Sequence, residues 1–436
     1  MAGIADWHAV TPDEHSDWLK QRDNSFNQFI VLGDKKGNAP KLFDNFSQGI
    51  LTARDAWAYN ASVSKLEANI ARMISFYNSE LLRFKTAYPE LDKKGREEVL
   101  DGFIDTNPQR ISWTHNVKQE LARDRALEYE ASSLTASLYR PFTKQWIYYN
   151  RALNERVYQM PRIFPEAVAE NLVICVSGIG ARTGFSAFVA NLPPNFDNLE
   201  KGQCFPLYLY DEAAQVTKDD LFDNPIEGGL RRRDAITDAG LAHFHAAYPG
   251  EQISKEDLFY YVYGILHSPD YRERFADNLS KELPRIPAVK TVADFWAFSK
   301  AGRALADLHL NYETVEPYPL TIEAKGTLTN ADYRVEKMKF AKKGDKTSVI
   351  YNQRITLKGI PEAAWDYVVN GKAALDWVME RQAVRPDKAS GIVNDANDWA
   401  IETMGNPKYP LELFQRVVTV SLETQKIVNS LPALDI

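Results

Sequence analysis

Several short stretches of the chain carry residue types that do chemistry elsewhere. Residues 177–184 read Ser-Gly-Ile-Gly-Ala-Arg-Thr-Gly after a strand-like run, the outline of a glycine-rich cofactor loop. Such a loop must lead into a helix whose N-terminal amides face the ligand. The run that follows, Phe185-Ser186-Ala187-Phe188-Val189-Ala190, lacks a cap and reads as a returning strand. The loop is therefore expected to be a tight β-connection with Arg182 and Thr183 at its tip, binding neither S-adenosylmethionine nor ATP. Leu192-Pro193-Pro194-Asn195 shares only its prolines with the Asp/Asn-Pro-Pro-Tyr/Phe motif that holds the target amino group in DNA amino-methyltransferases, so no catalytic residue is assigned. Glu323-Ala324-Lys325 has the E-x-K spacing of metal-dependent nucleases, where carboxylates hold Mg²⁺ and lysine assists water. Its acidic partner would be Asp270, but Ser268-Pro269 reads as a cap and first helical residue, which places Asp270 in a helix instead of at a strand end. His243 and His245 have strand-like i, i+2 spacing without a third ligand, so no metal is assigned.

The remaining candidates are cationic. The chain has 52 Lys and Arg against 59 Asp and Glu, a net charge of −7, so any phosphate-binding surface must come from local clusters. Arg231, Arg232 and Arg233 form one, expected in a loop. Lys337, Lys339, Lys342, Lys343 and Lys346 form another around an expected hairpin tip at 342–345, with Lys337 and Lys339 on one strand face. Arg140 and Lys144 flank the aromatic run that holds Trp146, Tyr148 and Tyr149. Asn150, Arg151, Asn154 and Arg156 follow it, and arginine and asparagine are the side chains that read guanine and adenine.

These residues need elements to position them, and the text is mixed. Ser64-Lys65-Leu66-Glu67 reads as a capping box opening a helix whose inward face is Leu66, Ile70, Met73, Ile74, Tyr77 and Leu81. A second helix is expected over 116–138, the two forming a helical spacer. Strands are expected at 145–149, 172–177, 185–191 and 205–210. Helices follow at 258–266, after the signature Ser254-Lys255-Glu256-Asp257, and at 292–308. The 333–340 and 348–357 strands flank the tip, and helices near 361–382 and 410–430 close the chain. The fold class is α+β, with β-rich blocks, a helical spacer and no intact methyltransferase Rossmann core. Three segments are expected: an opening segment and spacer over 1–138, a recognition domain over 139–320, and a hairpin with helices over 321–436. Only Cys175 and Cys204 occur, expected as buried small hydrophobes. No run approaches the roughly 20 apolar residues that span a bilayer, and the first residues lack a signal-peptide pattern, so a cytoplasmic location is expected.

Longer phrases then carry a family resemblance. Gly49-Ile50-Leu51-Thr52-Ala53-Arg54-Asp55-Ala56-Trp57-Ala58-Tyr59-Asn60, Tyr139-Arg140-Pro141-Phe142 with Trp146-Ile147-Tyr148-Tyr149, and Cys204-Phe205-Pro206-Leu207-Tyr208-Leu209-Tyr210 are three of them. Residues 260–266 with His267-Ser268-Pro269, and Val369-Asn370-Gly371-Lys372-Ala373-Ala374-Leu375-Asp376-Trp377, complete the set. Together they resemble the C-terminal region of type ISP restriction-modification proteins, which join a helicase-like motor to an N6-adenine methyltransferase. The resemblance implies a target-recognition region that binds duplex DNA sequence-specifically and follows a methyltransferase core in the same polypeptide. It further implies that the nuclease, ATPase and methyl-transfer motifs lie upstream, with S-adenosylmethionine, ATP and Mg²⁺ needed only by the full-length protein. The chain alone is then expected neither to methylate nor to cleave DNA. A nuclease using Glu323 and Lys325, or a protein scaffold, stands as the alternative.

Overall fold

The computed structural model describes residues 10–37, 39–165, 169–212 and 230–436. The long helix Val63–Ala87 buries the six predicted apolar positions on one face. Its cap is Ser62, not Ser64: the Ser62 hydroxyl accepts from the Lys65 amide at 3.1 Å, an arrangement that stabilises a helix by about 1 kcal/mol. With Lys93–Phe103 and His115–Ala122 this helix encloses a small cluster of its own.

The helix expected over 116–138 is corrected. It stops at Ala122, Asp124 takes a φ of +61°, and Leu134–Arg140 is a strand paired antiparallel with Thr143–Tyr148. Thr135, Ser137 and Tyr139 alternate with Ala136 and Leu138, a period-two text that the Glu- and Ala-rich stretch before it obscured. His243 and His245 are also corrected. Thr237 caps the helix Asp238–Ala247, and i, i+2 on a helix turns the rings roughly 200° apart. His245 Nε2 lies 3.0 Å from the Ile253 carbonyl instead.

Val173–Val176 runs between Ala187–Ala190 and Gln203–Pro206, antiparallel to both. The 177–184 loop therefore joins two neighbouring antiparallel strands, as its sequence requires. Cys175 and Cys204 face each other across this sheet as buried free thiols, sulfurs 3.5 Å apart. The helices Lys255–Ile265, opened by the predicted Ser254/Asp257 capping box, and Val292–Leu310 touch through Gly264 and Gly302. A Cβ on Gly302 would fall 1.9 Å from the Tyr260 carbonyl oxygen, so only glycine lets the helices approach this closely.

One large core draws on all three expected segments, from Phe26 and Ile30 through Phe188 to Leu413 and Phe414. Ile30–Val31 even pairs with Arg285–Ile286. In place of one helix over 361–382 there are a 3-10 turn Glu362–Trp365, a hairpin of Val368–Val369 with Lys372–Ala373, and the helix Ala374–Arg381. Asn370 and Gly371, with φ of +50° and +76°, make that hairpin turn. Tyr409–Asn429 closes the core. Every pairing between strands of the described residues is antiparallel, so this is an α+β fold of small sheets without a parallel Rossmann sheet. No described helix is long and apolar enough to cross a membrane.

Candidate nucleic-acid interface

A four-stranded antiparallel sheet has the order Thr321–Ala324, Ile355–Lys358, Asp345–Ile350, Lys339–Lys342. Register decides which side chains each face presents. Phe340, Val349 and Leu357 form a row packed inward, with Phe340 5.2 Å from the Trp365 ring. The next row, on the opposite face, is Lys339, Ile350, Thr356 and Glu323. Beside the sheet runs an arm, residues 334–338, pinned by Asn397: its Nδ2 donates to the Val335 carbonyl at 2.7 Å and its Oδ1 accepts from the Val335 amide at 2.9 Å. Val335 and Met338 are buried, which leaves Lys337 turned outward.

An open groove of about 580 Å³ lies here, lined by Lys325, Arg334, Lys337, Lys339 and Arg354 against only Asp332 and Glu336. Arg334 is neutralised by Asp395 at 2.6 Å and Arg354 by Asp332 at 3.1 Å. Lys325, Lys337 and Lys339 are exposed and have no ion-pair partner among the described residues. Their charges add in a concave surface, which focuses the field outward. A neighbouring depression of about 840 Å³ shares Lys337 but sets Glu336, Asp376 and Glu380 against Lys337, Lys372 and Arg385. Lys372 and Arg385 are both bound to Glu380, so its charge is spent internally.

The hairpin tip exists, with Lys343 and Gly344 in the turn and Gly344 at φ +83°. Its predicted strands are shorter. The first begins at Lys339, so Lys337 belongs to the arm, and the second breaks at 351–354 into two strands. Lys342, Lys343 and Lys346 are exposed, with Lys342 opposite Asp345 and Lys346 5.5 Å from the Trp365 ring. Lys325, which the E-x-K spacing offered to the alternative nuclease reading, joins the groove. Glu323 is exposed and paired with Lys358 at 2.8 Å, while the Asp270 carboxylate accepts from the Leu434 amide at 2.9 Å. The described residues hold no cluster of three metal-capable side chains.

Other candidates divide by burial. Arg182 stands out from its loop with 92% of its side chain exposed, while Glu200 takes its Nε at 3.0 Å and the Arg182 and Thr183 amides at 2.8 and 3.0 Å. The bond from Arg182 holds the Glu200 carboxyl below its ordinary pKa. Thr183 is exposed too, but its hydroxyl is engaged, donating to Asn370 Oδ1 at 3.0 Å. Arg151 is exposed on its turn, but Asn150 and Asn154 are spent closing it, with the Asn150 amide on Asn154 Oδ1 at 3.1 Å.

Arg140 and Lys144 are engaged in bonds of the fold, and the loop expected for the arginine run is corrected. Arg140 is 9% exposed and donates to the Tyr139 carbonyl and Asn195 Oδ1, both at 2.7 Å. Lys144 is paired with Glu313 at 2.6 Å inside the protein. Withdrawing either to reach a phosphate would break these bonds at a cost of about 1–3 kcal/mol, leaving Asn195 Oδ1 to the Asp197 amide and Glu313 to the Tyr409 hydroxyl. Arg231, Arg232 and Arg233 lie not in a loop but in the strand Leu230–Asp234, paired with Tyr208–Glu212. Arg231 stands opposite Asp211, Arg232 covers the Tyr208 ring at 4.4 Å, and Arg233 bridges Asp211 and Asp44 at 2.6 and 2.7 Å. Burial opposes the charge of Asp211, yet the bonds from Arg233 and Arg162 outweigh it and hold the carboxyl low. Asp211-Glu212 in the partner strand was the signal in the sequence. Arg334 and Arg354 went unseen there, although Asn352-Gln353-Arg354 between two apolar runs could have been read as a turn.

The Type ISP C-terminal specificity domain family matches residues 41–413. No curated protein sequence matches significantly. Three similar solved structures are a nuclease-deletion mutant of the Type ISP restriction-modification enzyme LlaGI in complex with a DNA substrate mimic, the ATP-dependent Type ISP enzyme LlaBIII bound to DNA, and a DrdV–DNA complex. LlaGI is 35% identical with a TM-score of 0.83, over 99% of this chain and 37% of its own. For LlaBIII the values are 34% and 0.83, over 98% and 25%, and for DrdV 30% and 0.80, over 99% and 41%. This chain thus spans well under half the length of each. With the family match running through nearly all of it, and the fold shared from end to end, the chain belongs to the Type ISP C-terminal specificity domain family.

Proposed function

We propose that this chain is the target-recognition module of a Type ISP-like restriction-modification enzyme and binds duplex DNA sequence-specifically through the groove beside the four-stranded sheet. The observation that carries this reading is the convergence of Lys325, Lys337 and Lys339, uncommitted, in one concavity of an acidic protein. Cations already paired would have to break an ion pair to meet a phosphate; these three need only release counterions. The LlaGI complex with a DNA substrate mimic, DNA-bound LlaBIII and the DrdV–DNA complex support the same partner. In this reading methyl transfer, ATP hydrolysis and cleavage belong to other segments of one longer polypeptide, which also hold S-adenosylmethionine, ATP and Mg²⁺. Arg182 and Arg151 are secondary contacts to the same duplex.

The test is a salt titration of chain 1–436 on random duplex and on duplexes enriched by binding selection, beside a Lys325→Gln, Lys337→Gln, Lys339→Gln variant. Each lost phosphate contact should reduce the magnitude of the log K against log salt slope by about 0.9 on both DNAs. Identical slopes in the two proteins would remove the groove from the interface.

A further inference from the structure

Residues 351–354 form the turn between the strands Asp345–Ile350 and Ile355–Lys358, at the edge of the basic groove. Three of its four side chains are consumed in holding it still. The buried Tyr351 hydroxyl donates to the Tyr333 carbonyl. Asn352 uses its whole amide: Oδ1 accepts from the Arg354 and Ile355 amides at 2.8 and 2.9 Å, and Nδ2 donates to the Asp332 and Arg334 carbonyls at 2.8 and 2.9 Å. Arg354 donates to the Lys325 and Thr327 carbonyls at 3.0 and 3.1 Å and pairs with Asp332 at 3.1 Å. Gln353, between the two clamps, is exposed, and its amide makes no hydrogen bond among the described residues.

We infer that Gln353 is a base-reading residue of this chain, presented to the edge of an adenine in the major groove of duplex DNA. The inference rests on the DNA-recognition reading above. Of the two amides lining the groove, Asn352 is spent and Gln353 is free, and a free amide offers one donor and one acceptor side by side. Adenine presents the complementary pair, the N7 acceptor and the N6 donor, whereas a lysine has donors only and meets phosphate oxygens or the two acceptors of guanine. Lys325, Lys337 and Lys339 line the same groove, so a DNA strand held by them brings base edges to the turn. Because Asn352 and Arg354 fix the backbone on both sides, ordering Gln353 on binding involves little beyond its own side-chain rotamer.

Selected-site sequencing separates this from the general reading. The proteins are chain 1–436, Gln353→Ala and Gln353→Arg, with folding checked by circular dichroism and affinity measured on the selected and on random duplex. Gln353→Ala should relax one A·T position of the motif, lowering discrimination there by about 5- to 150-fold, with affinity for random duplex and its salt slope unchanged. Gln353→Arg should move that position toward G·C, since arginine reads O6 and N7 of guanine. An intact motif in Gln353→Ala, or a loss of equal size on selected and random DNA, overturns the assignment while leaving the recognition reading in place. A wild-type chain that selects no motif overturns both.

Discussion

Two regions of this molecule hold polar and titratable side chains and commit them in opposite ways. Where Lys255–Ile265, Val292–Leu310 and Tyr409–Asn429 meet, the Tyr263 hydroxyl lies 2.8 Å from His309 Nδ1, and His309 Nε2 lies 2.9 Å from the Thr424 hydroxyl. His267 Nδ1 sits 2.9 Å from the Tyr263 carbonyl, and the His309 ring stacks on Phe188 and Tyr367. Burial, with the charge of Arg272 behind it, pushes His309 down to about 3, and burial moves His267 the same way. Both imidazoles are therefore neutral, bonded pieces of core. In the sheet groove Lys325, Lys337, Lys339 and Gln353 are exposed and lack partners among the described residues. A cluster of histidines with tyrosine is thus structure here, and a few unpaired surface side chains are the candidate function. What separates the regions is burial and commitment: the core side chains named are enclosed and largely bonded, with only His267 Nε2 and the Tyr367 hydroxyl of these buried without a hydrogen-bond partner, and residue type alone does not say so.

The largest effect that could break this contrast is on stability. His309→Ala orphans the Tyr263 and Thr424 hydroxyls and opens a cavity between stacked rings, so denaturant unfolding should lose about 3–5 kcal/mol, with DNA affinity of the folded protein unchanged. A small stability loss joined to a loss of DNA binding would make the histidine cluster functional. A smaller effect concerns pH. The unfolded histidine titrates near 6.5 and the folded His309 near 3, so between those values the unfolded chain binds the extra proton. Stability is complete above the unfolded value and falls as pH drops toward 3, by at most about 1.4 kcal/mol per pH unit for each such histidine. Melting temperatures at pH 7, 6 and 5 should decline in the wild type and less steeply in His309→Gln. A wild type flat over that range would mean that His309 takes up its proton while folded.

The same contrast explains what the sequence made legible. Elements with strong local signals appeared where expected: the Val63–Ala87 face, the Ser254/Asp257 capping box, the β-connection at 177–184 and the turn at Gly344. Failures came where pairing with another segment, next in the chain or far along it, chose the structure. Leu134–Arg140 is a strand because Thr143–Tyr148 is there to receive it, and Arg231, Arg232 and Arg233 are strand residues because Asp211 and Asp44 collect Arg233. For the candidate site, cation type was visible but commitment was not. Arg140 and Lys144 meet partners 55 and 169 residues away, which no local reading reveals. Lys325 was hidden by its own motif, and its place beside Lys337 and Lys339 depends on the register of the strands that carry Glu323 and Lys339.

The smallest expected effect sharpens the contrast within one sheet. Lys342, Lys343 and Lys346 are as exposed as the groove lysines and make an equal gain in local charge, so composition alone ranks the two triplets together. Geometry does not. Lys342 stands opposite Asp345, Lys346 lies against the Trp365 ring, and Lys343 sits on a convex turn where water and salt screen it fully. Changing these three to Gln should therefore flatten the salt slope on duplex DNA by clearly less than the groove triplet does, by about 0.9 or below in all if a single tip lysine reaches a phosphate. Stability should stay within roughly 0.5 kcal/mol of wild type in both variants, because neither set holds the core. If the tip triplet flattens the slope as much as the groove triplet, concavity and lack of partners are not what selects the contacts. The duplex would then lie across the hairpin tip as well as along the groove.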